Sequence, residues 1–229
     1  MSTTNAPESI AEQMELESGV IIPPCDLWSD EPPLESDWHR EQIELLLACL
    51  KQHWRERSDF YASGNLTIYF SPDQIKSRDF KGPDFFVVLG ATPEPRKSWV
   101  VWAESGKYPN VIVEILSEST ANVDRTAKKQ LYQDTFRTPN YVWFDPYSFE
   151  LMGFQLISGH YQEIPANSEG WLWSDQLELY LGVYDTKLRL FTAEGQLVAS
   201  PAELAEQERQ RAERLAEKLR EMGIDPSAI

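Results

Sequence analysis

The sequence has little of what most membrane-bound and many catalytic classes require. No run approaches the roughly 18 to 20 consecutive apolar residues that span a bilayer. The opening MSTTNAPESIAEQMELESG is acidic where a secretory signal is basic and then apolar, so a soluble cytoplasmic protein with no membrane partner is expected. The two cysteines, Cys25 and Cys49, make no Cys-x-x-Cys pair and no disulfide framework, which argues against zinc and redox work. His39, His53 and His160 are scattered, with no His-Glu-x-x-His, and speak against a histidine-based metal site. Gly-rich phosphate loops and Gly-x-Ser-x-Gly are both missing, which argues against nucleotide hydrolysis and serine esterase chemistry.

Positive charge is scarce too: 21 Lys and Arg stand against 37 Asp and Glu, a net charge of −16. Since Lys and Arg neutralise phosphates, this balance by itself counts against a nucleic-acid partner. The charge is unevenly spread, however. Residues 1 to 45 hold eleven acids against Arg40 alone, or −10, while Lys76 to Arg137 holds ten bases against eight acids, or +2. A polyanion is therefore compatible with the middle of the chain.

What is present reads as one domain with two appendages: an acidic arm over 1–29, a domain over 30–198 and a charged helical tail over 201–223. Ser36 or Asp37 can cap a helix from about Trp38 to Arg57, with Ile43, Leu46, Leu47, Leu50 and Trp54 as its buried stripe. After Gly64-Asn65 come short apolar runs bounded by Gly, Pro and Asn: Leu66 to Phe70, Asp84 to Leu89, Ser98 to Trp102, Val111 to Leu116, Tyr141 to Asp145, Leu151 to Ile157 and Tyr161 to Ile164. These are predicted strands, and FFVVL and VIVEIL lack alternation, as strands covered on both faces do. A second helix fits after Ser119-Thr120, from Asp124 to about Phe136, giving an α/β (α+β) core. Residues 171 to 198 read as further short strands with a turn at Glu194-Gly195. From Pro201 a strong helix former runs to Gly223 and Pro226, either a solvated tail or a coiled-coil arm. Eight tryptophans could stack on bases, although on strands such rings more often pack the core.

Three residues stand out chemically. Asp84 opens an apolar strand, where a carboxylate at a sheet end can meet a cation. Glu114 lies inside Val111-Ile112-Val113-Glu114-Ile115-Leu116. A buried carboxylate there costs several kcal/mol unless a metal, a base or a hydrogen-bond network meets it. Stepping about 100° per residue from Asp124, Ala127, Leu131, Tyr132 and Thr135 form the buried arc, Lys128 falls inside it and Lys129 outside. Lys128 is then an ion-pair or catalytic lysine, with Asp124 and Tyr132 beside it, or a stem snorkelling past Leu131. Two carboxylates and a lysine suit phosphodiester hydrolysis: hard oxygens of Asp84 and Glu114, with the backbone carbonyl of Ile115, can hold Mg2+ or Mn2+. Lys128 can stabilise charge in the transition state.

Gly-Pro-Asp-Phe-Phe-Val-Val at 82 to 88, Pro-Asn-Val-Ile-Val-Glu-Ile-Leu-Ser-Glu-Ser-Thr at 109 to 120, Asp-Arg-x-x-Lys-Lys-x-x-Tyr at 124 to 132 and Tyr-Val-Trp-Phe-Asp-Pro at 141 to 146 resemble the Uma-two type restriction endonuclease family. The resemblance covers roughly residues 30 to 195 and places the chain near the Pro-Asp...(Asp/Glu)-x-Lys nucleases. It implies a restriction-endonuclease-like fold, a central mixed sheet flanked by helices, and divalent-metal-dependent endonuclease cleavage of nucleic acid, with DNA the favoured substrate. Where that superfamily has its lysine, two residues after Glu114, this chain has Leu116. Lys128 matches the position to which Uma-type sequences move it. An acid of the first helix often completes such sites, and Glu41 or Glu44 is available. A homodimer suits two cuts on a duplex. The alternative reading is an inactive nuclease fold that serves as a scaffold for protein partners.

Overall fold

Helix α1, Asp37–His53, starts where Ser36 accepts a hydrogen bond from the amide of His39 at 3.2 Å, relieving one unpaired donor of the first turn. The computed structural model describes residues 24–29, 34, 36–71, 82–117, 121–222 and 225. Most of the acidic arm, the Ser119-Thr120 helix start and the Gly223 and Pro226 stop lie outside the described residues. α1 buries His39, Gln42, Ile43, Leu46, Cys49 and Leu50. It stops at His53 rather than Arg57, because the Trp54 amide turns back onto the carbonyls of the last turn.

The strands are β1 Phe60–Ser63, β2 Ile68–Tyr69, β3 Phe85–Leu89, β4 Trp99–Val100, β5 Val111–Ile115, β6 Asn140–Phe144, β7 Leu151–Ile157, β8 His160–Glu163, β9 Leu172–Ser174, β10 Leu179–Tyr184 and β11 Lys187–Phe191. Six form the central sheet in the order β1-β3-β5-β6-β7-β8. Only β5 and β6 run parallel in it, so the sheet is mixed as expected. The expected strands at Leu66 to Phe70 and Ser98 to Trp102 form instead a separate parallel pair, β2 and β4. β1 was not anticipated: Phe60-Tyr61-Ala62-Ser63 is too short to show a period between a helix and a turn.

Between β5 and β6 lies helix α2, built as Ala121–Val123, Asp124–Lys128, Lys129–Leu131 and Tyr132–Phe136, with the second and fourth pieces wound as π-helix. Wider π turns, closed by bonds between residues five apart, correct the expected inward face. Asp124, Tyr132 and Phe136 are buried at intervals of four, with Lys128 half-buried in the same line, while Ala127 and Thr135 are exposed. Lys129 does not face water fully either, since its ammonium sits 3.4 Å from the Phe154 ring centroid. The third helix, α3, Pro201–Glu221, begins in a capping box between Ser200 and Glu203 and buries no residue.

Alternation in β3 and β5 builds two cores, one on each face of the sheet. Phe85, Val87, Val111 and Val113 meet α1 and the β9–β11 sheet, while Phe86, Val88 and Ile112 meet Tyr132 and Phe136 of α2 and Trp99 of β4. The two unalternating runs, FFVVL and VIVEI, are the second and third strands of the six and are buried almost throughout, as cover on both faces requires. None of the helices among the described residues is long and apolar enough to cross a membrane.

Candidate active site

The antiparallel register of β3 and β5 pairs Phe85 with Val113 and Phe86 with Ile112. Continued by one residue, it sets Asp84 opposite Glu114, and directly opposed side chains share a face. By alternation that face is the one covered by α2. Lys128 and Tyr132, which flank the α-helical piece Lys129–Leu131, descend onto it. Lys128 Nζ lies 3.1 Å from Glu114 Oε2 and 2.8 Å from Asp124 Oδ1. The Tyr132 hydroxyl donates to Glu114 Oε1 at 2.6 Å, and the Tyr141 hydroxyl donates to the Asp124 carbonyl at 2.8 Å. Asp84, Glu114, Lys128, Asp124 and Tyr132, all named from sequence, thus converge.

Asp84 is tied at both ends. The Ile115 amide donates to its Oδ2 at 2.7 Å, and its own amide reaches Glu114 Oε2 at 3.4 Å. Its Oδ1 lies 3.0 Å from Nε2 of His39, one of the three histidines scattered along the sequence. Glu41 and Glu44, the acids proposed from α1, are corrected here: both are exposed, and Glu44 pairs with Arg40 at 2.8 Å. The helical turn explains the difference, because His39 continues the inward line of Ile43, Leu46 and Leu50, which Glu41 and Glu44 leave. Extending that stripe back by one turn is the signal that could have found it.

Two carboxylates therefore meet one ammonium while a third, Asp84, acts on it from further off, and the protein's own electrostatics reflect the surplus of negative charge. Burial pushes the Glu114 carboxyl up to about 8, with Asp84 and Asp124 adding to the rise and Lys128 and the Tyr132 hydroxyl opposing it. For Lys128, burial works against the charged form, but Glu114, Asp124 and Asp84 outweigh it and hold the ammonium protonated. Burial and the adjacent Glu114 raise the Tyr132 hydroxyl well above its usual range, so it stays a donor.

Among the described residues, no group of three or more His, Cys, Asp and Glu is arranged as a ready metal cage. A smaller oxygen donor set remains. Glu114 Oε2 already meets both Lys128 and the Asp84 amide, whereas Glu114 Oε1 and the two oxygens of Asp84 each meet one partner, a hydroxyl, an imidazole or an amide, and can accept a second. A hard cation that keeps most of its waters needs only one or two carboxylates. The residues fit such an ion.

A family model described as "Putative restriction endonuclease", Uma2, matches residues 27–188. The chain belongs to the Uma2 family. Among solved structures, a chain from Anabaena variabilis described as "a putative nuclease belonging to DUF820" is similar, with 14% identity and a TM-score of 0.47. The match covers 68% of this chain and 83% of that one. No curated protein matches. Asp84, Glu114 and Lys128 all fall within the span of the Uma2 match, as do Asp124 and Tyr132.

Proposed function

We propose that this Uma2 protein is a divalent-metal-dependent endonuclease of the cytoplasm that hydrolyses phosphodiester bonds of nucleic acid, with DNA as its substrate. The observation that carries the reading is the buried carboxyl of Glu114, met by Lys128 from α2 and set across the strand pair from Asp84. Asp84, Glu114 and the Ile115 carbonyl would hold Mg2+ or Mn2+. The bound ion would supply a water of lowered pKa and neutralise charge on the scissile phosphate. Lys128, kept charged by three carboxylates, is placed to stabilise the negative charge that develops during displacement. Tyr132 fixes one oxygen of Glu114, and His39 with the Ile115 amide fixes Asp84. A homodimer, setting two such sites side by side, belongs to the same reading.

Lys128→Ala should lower Mg2+-dependent cleavage of DNA by about 100-fold or more, the usual loss when one preorganised charge-stabilising group is removed. Mg2+ affinity should persist in that variant. Equal turnover by the variant and the wild type in a gel-based cleavage assay would remove Lys128 from the chemistry. The net charge of −16 favours a second reading, a non-catalytic scaffold for protein partners. That reading expects Glu114→Ala to raise stability and to change nothing else.

A further inference from the structure

β5 and β6 run parallel with Ile115 beside Phe144, so the turn that follows β6 leaves the sheet at the same end as Glu114. This turn, residues 145–150, is pinned from several sides. Asp145 Oδ1 accepts from the amides of Tyr147 at 2.9 Å and Ser148 at 3.3 Å. The Phe149 amide donates to the Asp145 carbonyl at 2.8 Å, and the Asp145 amide donates to the Glu150 carbonyl at 2.9 Å. Arg125, at the start of α2, reaches Glu150 Oε2 at 3.1 Å and Asp145 Oδ2 at 3.8 Å while its guanidinium covers the Trp143 ring at 4.7 Å.

On this fixed turn two large rings point into solvent: Tyr147 is 76% exposed and Phe149 is 45% exposed. Phe149 also holds φ at 61°, a left-handed conformation that Gly or Asn adopts with less strain. The described cations at this end are already engaged, Lys128 with Glu114 and Asp124, Arg125 with Asp145 and Glu150. Duplex nucleic acid is gripped chiefly through phosphates by uncommitted Lys and Arg. Unpaired strands also meet cations along their backbone, but they add bases stacked on aromatic rings, whatever their sequence, a contact that bases paired within a duplex do not offer.

We propose that the Tyr147 and Phe149 turn is a base-stacking surface and that the site takes an unpaired nucleic-acid strand. Bases seat on the two rings while the adjoining backbone lies over Asp84 and Glu114. The inference rests on the nuclease reading and names the substrate class of that same site.

The test measures fluorescence anisotropy of a labelled single-stranded oligodeoxynucleotide and of its duplex, with Ca2+ in place of Mg2+, beside Mg2+-dependent cleavage of both. The full chain is used as wild type, Tyr147→Ala, Tyr147→Ala with Phe149→Ala, and the ring-preserving Tyr147→Phe with Phe149→Tyr. Wild type should bind and cut the single strand in preference. The double alanine variant should bind the single strand at least about tenfold more weakly, the loss of one or two stacked bases. The ring-preserving variant should restore binding. Tyr147→Ala alone, on a side chain that packs against little, should give part of the loss without any change of fold.

A wild type that cuts, with all four chains binding the single strand alike, would overturn the stacking surface and leave the nuclease reading standing. A wild type that neither binds nor cuts either strand would overturn both. A change of sedimentation in the double alanine variant with unchanged strand affinity would assign the rings to contact between copies and overturn the proposal.

Discussion

At the scale of residues, Glu114 is the demanding one, a carboxyl with no exposure on a face it shares with Ile112 and Leu116. Its folded pKa, raised to about 8, lies above the ordinary value of 4.5, so between those two values the folded protein binds a proton that the unfolded chain releases. This group's contribution is therefore fully present below about 4.5 and is lost as pH rises through about 8. Without added metal, urea stability should fall across that window, and Glu114→Gln should flatten the fall; an unchanged slope would place the titration elsewhere. Tyr132→Phe removes the hydroxyl that holds Glu114 Oε1. It should destabilise by about 1 to 3 kcal/mol, as a buried acceptor left without its donor does. Because that bond favours the ionised form, the pH at which Mg2+ binding sets in should also rise. Glu114 was legible in the sequence because an acid inside Val, Ile and Leu needs a metal, a base or a hydrogen-bond network to meet it. His39 was not, since a single histidine near a helix start looks the same whether it meets water or a carboxylate brought by a distant strand.

Elements place these residues, and a few contacts decide whether the placement holds. Gly64, just after β1, touches the start of β3 so closely that an added Cβ would lie 2.4 Å from the Asp84 carbonyl oxygen and 2.4 Å from Ile43 Cγ2. A backbone carbonyl cannot swing aside, so Gly64→Ala should shift Asp84 and weaken Mg2+ binding, as measured by calorimetry, while circular dichroism remains native in shape. Retained affinity would mean the β1 end gives instead. α3 lies against α1 and is anchored near its start by the two-pronged pairing of Arg189, 6% exposed, with Glu203 at 2.9 and 2.8 Å. Glu203→Ala, which also dissolves the capping box, should lower unfolding stability by about 1 to 3 kcal/mol. Glu213→Ala, on the solvent-screened pair with Arg209, should leave it unchanged within error. The helix from Pro201 was readable from composition alone. α2 was readable as a helix, but an α-helical step of 100° could not foresee its π turns, which carry the inward line along Asp124, Lys128, Tyr132 and Phe136. β1 escaped because four residues carry no period, and β2 and β4 were seen as strands without any sign that they pair with each other.

For the whole molecule, a net charge of −16 sets the terms on which any polyanion approaches. A protein making six to ten phosphate contacts gains about 10³ to 10⁵ in affinity when salt falls from 200 to 50 mM. If stacking and a metal bridge replace those contacts, the gain here should stay under about tenfold. A steep salt dependence in anisotropy titrations would point to a cationic surface instead. At this scale the mixed sheet between helices was legible, since unalternating FFVVL and VIVEI demand cover on both faces. The meeting of Asp84 with Glu114 was only implicit, because it depends on strand register rather than on either segment. In the proposed function this meeting is the metal site. Isothermal titration of Mg2+ or Mn2+ into the wild type and into Asp84→Ala with Glu114→Ala tests it most directly. Binding by the wild type that vanishes in the folded double variant is the expected result, and equal heats from both, or none from the wild type even with oligonucleotide present, would contradict it.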